Sequence, residues 1–271
     1  MGARSVRRIA ESLMTHGTSL LPREHGAYAE LAFPLLTALT MARPTVAGAA
    51  FGLSAVAWFL AHEPLAVMMG MRGARVQAQS GDRARRRLLA LAGVGATAGM
   101  LALAVAPTAA RWATVIPLAA VVLLVPAYVL RRHKTLWGEA LVVLAFAGMV
   151  LPVSIAAGVV WRTGWIVTGV WFVSLMLGTI AVHALKLRHK HGRTAGTLPR
   201  LSPVLGAASA AVALGVAAKG TTPWPVALAL VPPALLTTAL GSVHIHPRHL
   251  KRVGWSLVAA NTVTWICLLF L

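Results

Sequence analysis

Four carboxylates fall where this chain enters its long apolar runs: Glu24, Glu30, Glu63 and Glu139. An ionisable group at that depth is costly unless it is paired or hydrated, so each marks a candidate site. Two of them belong to mirrored dipeptides, Glu24-His25 and His62-Glu63. A carboxylate beside an imidazole brings together a base and a group that titrates near neutrality, which is the equipment of proton transfer. His62 and Glu63, with His183 farther along, are the candidate catalytic acid–base residues. Pro64 follows directly, and its missing N–H predicts a kink that frees carbonyls to face a cavity. The competing reading is structural, with Glu24, Glu30 and Glu63 neutralising Arg23, Arg72 or Arg131 at helix ends.

Imidazole and carboxylate are also ordinary ligands for zinc and non-haem iron. The spacing does not build such a site, because there is no His-Glu-x-x-His, no paired Glu-x-x-His and no cysteine beyond Cys267. His189-Lys190-His191 and the run from His244 to His249 are embedded among cations that repel a metal ion. No metal ligand is assigned, and the sequence identifies no cofactor.

The elements that must position these residues follow from composition. With 58% hydrophobic and 11% charged residues over 271 positions, the chain is too apolar for a water-soluble domain. A net charge of +19 would point to nucleic acid in a soluble protein. Here the cations sit in short loops beside apolar spans, where anionic lipid headgroups are the natural partner and nucleic acid is not. All but four of the 25 Lys and Arg residues share one side of the predicted topology, the exceptions being Arg43, Arg111, Arg162 and Lys219. Every acid and every histidine falls on that crowded side, which the positive-inside rule makes cytoplasmic.

Apolar runs of about twenty residues are needed to cross the hydrocarbon core. They are predicted at 28–45, 45–70, 88–107, 112–130, 138–159, 164–186, 202–218, 224–241 and 253–271, an all-α polytopic bundle of about nine transmembrane helices. The N-terminus is then inside and the C-terminus outside. Residues 1–27 form a cytoplasmic arm with an amphipathic interfacial helix over 6–14; residues 28–271 form a single transmembrane domain. The first span is the shortest, since Glu30, Pro34, Arg43 and Pro44 leave only 31–42 clean. A broken or re-entrant segment there requires protein to cover its backbone. Gly48/Gly52 and Gly95/Gly99 have the spacing of close helix packing.

The stretch Pro22-Arg23-Glu24-His25-Gly26-Ala27-Tyr28 and the later His62-Glu63-Pro64-Leu65 resemble the YwiC-like bacterial membrane proteins. More widely, the layout is similar to the UbiA superfamily of intramembrane prenyltransferases, which implies a bundle around a central lipid cavity open to the cytoplasm. His62-Glu63-Pro64-Leu65 with Arg72 falls where the first aspartate-rich motif of those enzymes would be. Tyr128 to Thr135, continuing to Glu139, is similar to their Tyr…Lys-Arg-Thr stretch, and His183 to Arg193 occupies the place of the second aspartate-rich motif. Such enzymes hold a diphosphate through two magnesium ions, which need several carboxylate oxygens. Here the first position keeps only Glu63, and the second substitutes Lys186, Arg188 and Lys190.

The resemblance with these departures implies an atypical enzyme acting on an isoprenoid or lipid (di)phosphate, in which cations replace the magnesium-binding aspartates. Arg23, Glu24, His25, Arg72, Arg131, Lys134, Glu139, Lys186 and Arg188 are the candidate substrate-binding residues, the arginines suited to bidentate phosphate contacts. The partners are membrane lipids and a hydrophobic ligand with an anionic headgroup. The alternative is a non-catalytic protein that binds or transports a quinone, a haem precursor or an anionic lipid. Orientation is tested by cysteine labelling: residues placed at Arg111 and Lys219 should react from outside and one at Arg86 from the cytoplasm, and the reverse pattern overturns the topology.

Overall fold

The computed structural model describes residues 20–22, 25–130, 132, 134–191, 196–243 and 249–271. The expected interfacial helix over 6–14 lies outside them. The described residues form α1 (His25–Thr40), α2 (Val46–Met68), α3 (Ala74–Val105), α4 (Thr108–Ala113), α5 (Val115–Val129), α6 (Leu136–Gly148), α7 (Val150–Ala156), α8 (Trp161–His191), α9 (Leu198–Ala218), α10 (Trp224–Ser242) and α11 (Leu250–Leu268). Helix is what lipid selects, because it satisfies every backbone group within the segment.

Helices occupy all nine expected stretches, and seven of these are long and apolar enough to cross a membrane. The protein is a polytopic, all-α membrane protein. The two stretches that fall short do so for different reasons. α1 has 16 residues and spans only about 24 Å, whereas Lys251, Arg252 and Asn261 interrupt the apolar run of α11.

Expected and observed boundaries differ in instructive ways. The span expected from residue 88 begins at Ala74, since 74–87 is rich in Arg, Ala and Gln, which are good helix formers whatever their hydropathy. The spans expected at 112–130 and 138–159 are each two helices, interrupted at Thr114 and Met149. Pro117 and Pro152 lack an N–H, so the carbonyls of Ala113 and Gly148 lose their i+4 donors there. By contrast α2 continues through Pro64 to Met68.

The chain divides into two compact units. In the first, residues 53–100 form a hairpin of α2 on α3. Ser54 Oγ donates to the Gly95 carbonyl at 2.8 Å, and a Cβ on Gly95 would lie 2.9 Å from the Trp58 indole nitrogen. Small residues thus set the approach of these helices, as the Gly95/Gly99 spacing predicts. Nearer the turn, Val67 and Ala84 pack with Leu20.

The second unit, residues 25–52 and 101–271, is organised by α8, which packs against α1, α6, α7, α9, α10 and α11. Trp171 at its centre is fully buried. Its indole N–H donates to Thr37 Oγ1 at 3.0 Å, and its ring stacks on Phe33 with centroids 6.0 Å apart. This polar bond across helices is how a tryptophan can be buried without an orphaned donor. α9 and α10 approach closest, at Gly206 and Gly241. A Cβ on Gly206 would lie 2.6 Å from the Ala234 carbonyl oxygen and 2.8 Å from the Thr238 amide nitrogen.

Gly206→Ala should therefore force α9 and α10 apart and destabilise the protein by about 1–3 kcal/mol. Gly215→Ala, whose Cβ meets nothing within 4 Å, is the matched control. Melting temperatures in detergent check the pair, and equal melting of the two variants contradicts the packing.

Candidate functional site

Two of the four carboxylates singled out by the sequence, one in each unit, pair with a basic side chain: Glu63 and Glu139. Glu63 is only 1% exposed. Arg72 reaches it with two donors, Nε to Oε1 at 2.8 Å and Nη2 to Oε2. This is the fork-on-fork geometry that makes Arg–carboxylate pairs strong and directional.

Local sequence explains how residues nine apart meet. α2 ends in a Schellman motif, with the Met71 amide bonded to the Ala66 carbonyl and the Gly70 amide to the Val67 carbonyl. Gly70 has φ +69, a left-handed conformation in which glycine escapes the Cβ penalty. Gly73 repeats the device at φ +94. Between them Arg72 is folded back over the last turns of α2, and Gln77 Nε2 donates to the Met68 carbonyl at 2.7 Å. His62 precedes the pair and is half-buried.

The second pair joins helices that lie far apart in sequence. Thr135 caps α6 by accepting from the Gly138 amide at 3.3 Å, which fixes Glu139 in the first turn, at the positive end of the helix dipole. Glu139 Oε2 lies 2.7 Å from His183 Nε2 on α8. The side chains are 32% and 15% exposed, so the pair is sheltered yet reachable. With Nε2–H directed to the carboxylate, Nδ1 is left as the acceptor nitrogen of the ring.

The cations around this second pair separate into two kinds. Lys186, on the next turn of α8, is exposed, as is Lys134 just before α6. Arg188 is half-buried and its Nη2 donates to the Pro199 carbonyl. That carbonyl is the one Pro203 deprives of its i+4 donor, so Arg188 fastens α8 to α9. Arg23, Glu24 and Arg131 lie outside the described residues, as does the side chain of His25.

Sequence reasoning named Glu139 and His183 without pairing them, since nothing local signals a contact between residues 44 apart. It overlooked the uncharged polar groups within the spans. Ser174 Oγ donates to Asn261 Oδ1 at 3.3 Å, and Thr264 Oγ1 donates to the Ala229 carbonyl at 2.7 Å. As for metals, no group of three or more His, Cys, Asp or Glu gathers among the described residues. The donor set among the described residues therefore does not fit two magnesium ions, each of which needs octahedral oxygen ligation.

Against this geometry the comparisons give one result. Residues 21–154 match the YwiC-like protein family. The search of curated proteins and that of solved structures return no match. The YwiC-like segment contains both partners of the Glu63–Arg72 pair. Of the second pair it contains Glu139 alone, since His183, Lys186 and Arg188 lie beyond residue 154.

Removing Arg72 isolates the Glu63 charge inside the protein. Arg72→Gln should cost about 3 kcal/mol, and Glu63→Gln/Arg72→Gln should recover most of the loss. A double-mutant cycle read by thermal melting checks this, and additive losses would contradict a coupled pair.

Proposed function

We propose that this polytopic membrane protein is an enzyme acting on an isoprenoid or lipid (di)phosphate, in which cations stand in place of the magnesium-binding aspartates of UbiA-type enzymes. The observation that carries this reading is the 2.7 Å contact of Glu139 with His183. A carboxylate that orients an imidazole is the usual arrangement for general acid–base chemistry, worth about 10²–10⁴ in rate. In this reading His183 Nδ1 takes the proton of an attacking water or acceptor hydroxyl as its oxygen bonds to the isoprenoid carbon and the carbon–oxygen bond to the (di)phosphate breaks. Lys186 and Lys134 meet the charge of the departing phosphate as compact ammonium groups.

Glu63 takes a different part. Its carboxylate is committed to Arg72, so we assign it to holding that arginine in place and leave proton transfer to His183. The wider reading keeps residues 28–271 as one transmembrane domain with a UbiA-like lipid cavity, and the N-terminus inside; the bias of cations among the loops supports the orientation. The partial family match supports placing the chain with the YwiC-like proteins.

A second reading draws on the same committed Glu63. A protein that binds or transports an anionic lipid, a quinone or a haem precursor needs no mobile acid, and a carboxylate locked to Arg72 suits it.

The two are separated by one set of measurements on purified protein with a polyprenyl diphosphate in the presence of EDTA. The enzymatic reading expects turnover, reduced at least about 100-fold by His183→Ala and by Glu139→Gln, with lipid phosphate still co-purifying with both variants. Turnover that needs added Mg²⁺ overturns the cation-for-metal mechanism. Movement of intact lipid between the leaflets of a vesicle, with no chemical change, establishes the second reading instead.

A further inference from the structure

Several arginines near helix ends are engaged within the protein. Arg72 grips Glu63, Arg188 reaches the Pro199 carbonyl, and Arg111 donates to the Ala106 and Ala104 carbonyls at the end of α3. The opening turns of α3 hold a denser basic set. Residues 74–87 carry Arg75, Arg83, Arg85, Arg86 and Arg87 against Asp82 alone, all before the apolar run that starts at Leu88.

Helical geometry of about 100° per residue sorts this segment into two faces. Val76, Ser80 and Ala84 share one side; Ser80 and Ala84 are buried, and Val76 and Ala84 pack with Leu20 and Val67. Arg75, Asp82, Arg85 and Arg86 fall on the opposite side and are exposed. Among the described residues no ion pair occupies Arg85 or Arg86.

Height along the helix follows from the hairpin register. Ser54 opposes Gly95 and Gly99, and Val67 opposes Ala84, so Arg85 and Arg86 stand level with the last turn of α2. A helix of 32 residues is about 48 Å long against a hydrocarbon core of about 30 Å. Its basic turns must therefore emerge at the membrane surface. Directly below, on the same side of α3, Leu89 and Met100 are 63% and 65% exposed.

We propose that the Arg85–Arg86 face of α3 binds the phosphate of an anionic phospholipid, with the acyl chains lying along Leu89 and Met100. Two arguments select a phospholipid from other anions. Every cation of the segment is arginine, whose planar fork pairs with phosphate oxygens in a bidentate way that lysine does not reproduce. The charged face also continues without a break into the exposed apolar one, and a phospholipid is the ligand that carries phosphate above hydrocarbon. Anionic surfaces favour each added Lys or Arg enough to make such a patch an anchor.

The proposal uses no residue of the Glu139–His183 pair and stands without the enzymatic reading. The test titrates delipidated full-length protein with phosphatidylglycerol or phosphatidylcholine, reading retained lipid by native mass spectrometry and melting temperature in parallel. Phosphatidylglycerol should bind and raise the melting temperature, and phosphatidylcholine should do neither. Arg85→Gln/Arg86→Gln should weaken phosphatidylglycerol binding on the order of 30-fold, with lipid-free melting unchanged. Asp82→Asn, which removes the one opposing charge, should tighten it several-fold. Wild-type affinity in the glutamine double variant, or equal binding of phosphatidylcholine, overturns the site. Displacement of the lipid by inorganic phosphate or by an acidic polypeptide at equal concentration also overturns it.

Discussion

Hydrocarbon offers no hydrogen bonds, so any backbone carbonyl that loses its helical donor must find another within the protein. This constraint explains much of how the spans of the second unit are joined. Pro233 takes the donor from Ala229, and Thr264 of α11 supplies one at 2.7 Å. Pro203 takes the donor from Pro199, and Arg188 of α8 supplies one. Each proline thereby turns a local defect into a bond between helices, and α9 and α10 run on unbroken. At Pro117 and Pro152 the ladder instead divides into separate helices.

The same requirement places the neutral polar side chains. α8 touches six other helices, and it meets α1 through Trp171 and Thr37 and α11 through Ser174 and Asn261. Oil-like contact alone does little to orient one helix against another when lipid is equally oily. Directional bonds and glycine contacts supply that orientation, and they hold α8 in the position from which His183 meets Glu139.

Much of the fold could be read from the sequence because hydropathy and length report what lipid demands. The all-α class and the places of the spans followed directly. Helix ends were less legible, because Ala74 to Arg87 is helical without being apolar and because the breaks at Thr114 and Met149 depend on individual prolines. For the site, the structural reading already offered Arg72 among the partners of Glu63, and their spacing is short enough for a turn to unite them. Glu139 and His183 were also named, yet their meeting depends on how α6 packs against α8. No local pattern encodes that, and the same holds for the use of Arg188 by a carbonyl on the next helix.

The nine-residue separation of Glu63 and Arg72 bears on how the chain enters the bilayer as it is synthesised. A carboxylate destined for the interior has its countercharge almost at once, supplied by the turn that follows α2. The α2–α3 hairpin can therefore leave the insertion machinery with that charge already neutralised and without waiting for later spans. Glu139 has no such provision, because His183 is made 44 residues later. Its carboxylate, still 32% exposed in the folded protein, gains that partner only when α8 arrives. The first pair can be a product of insertion, whereas the second is a product of assembly.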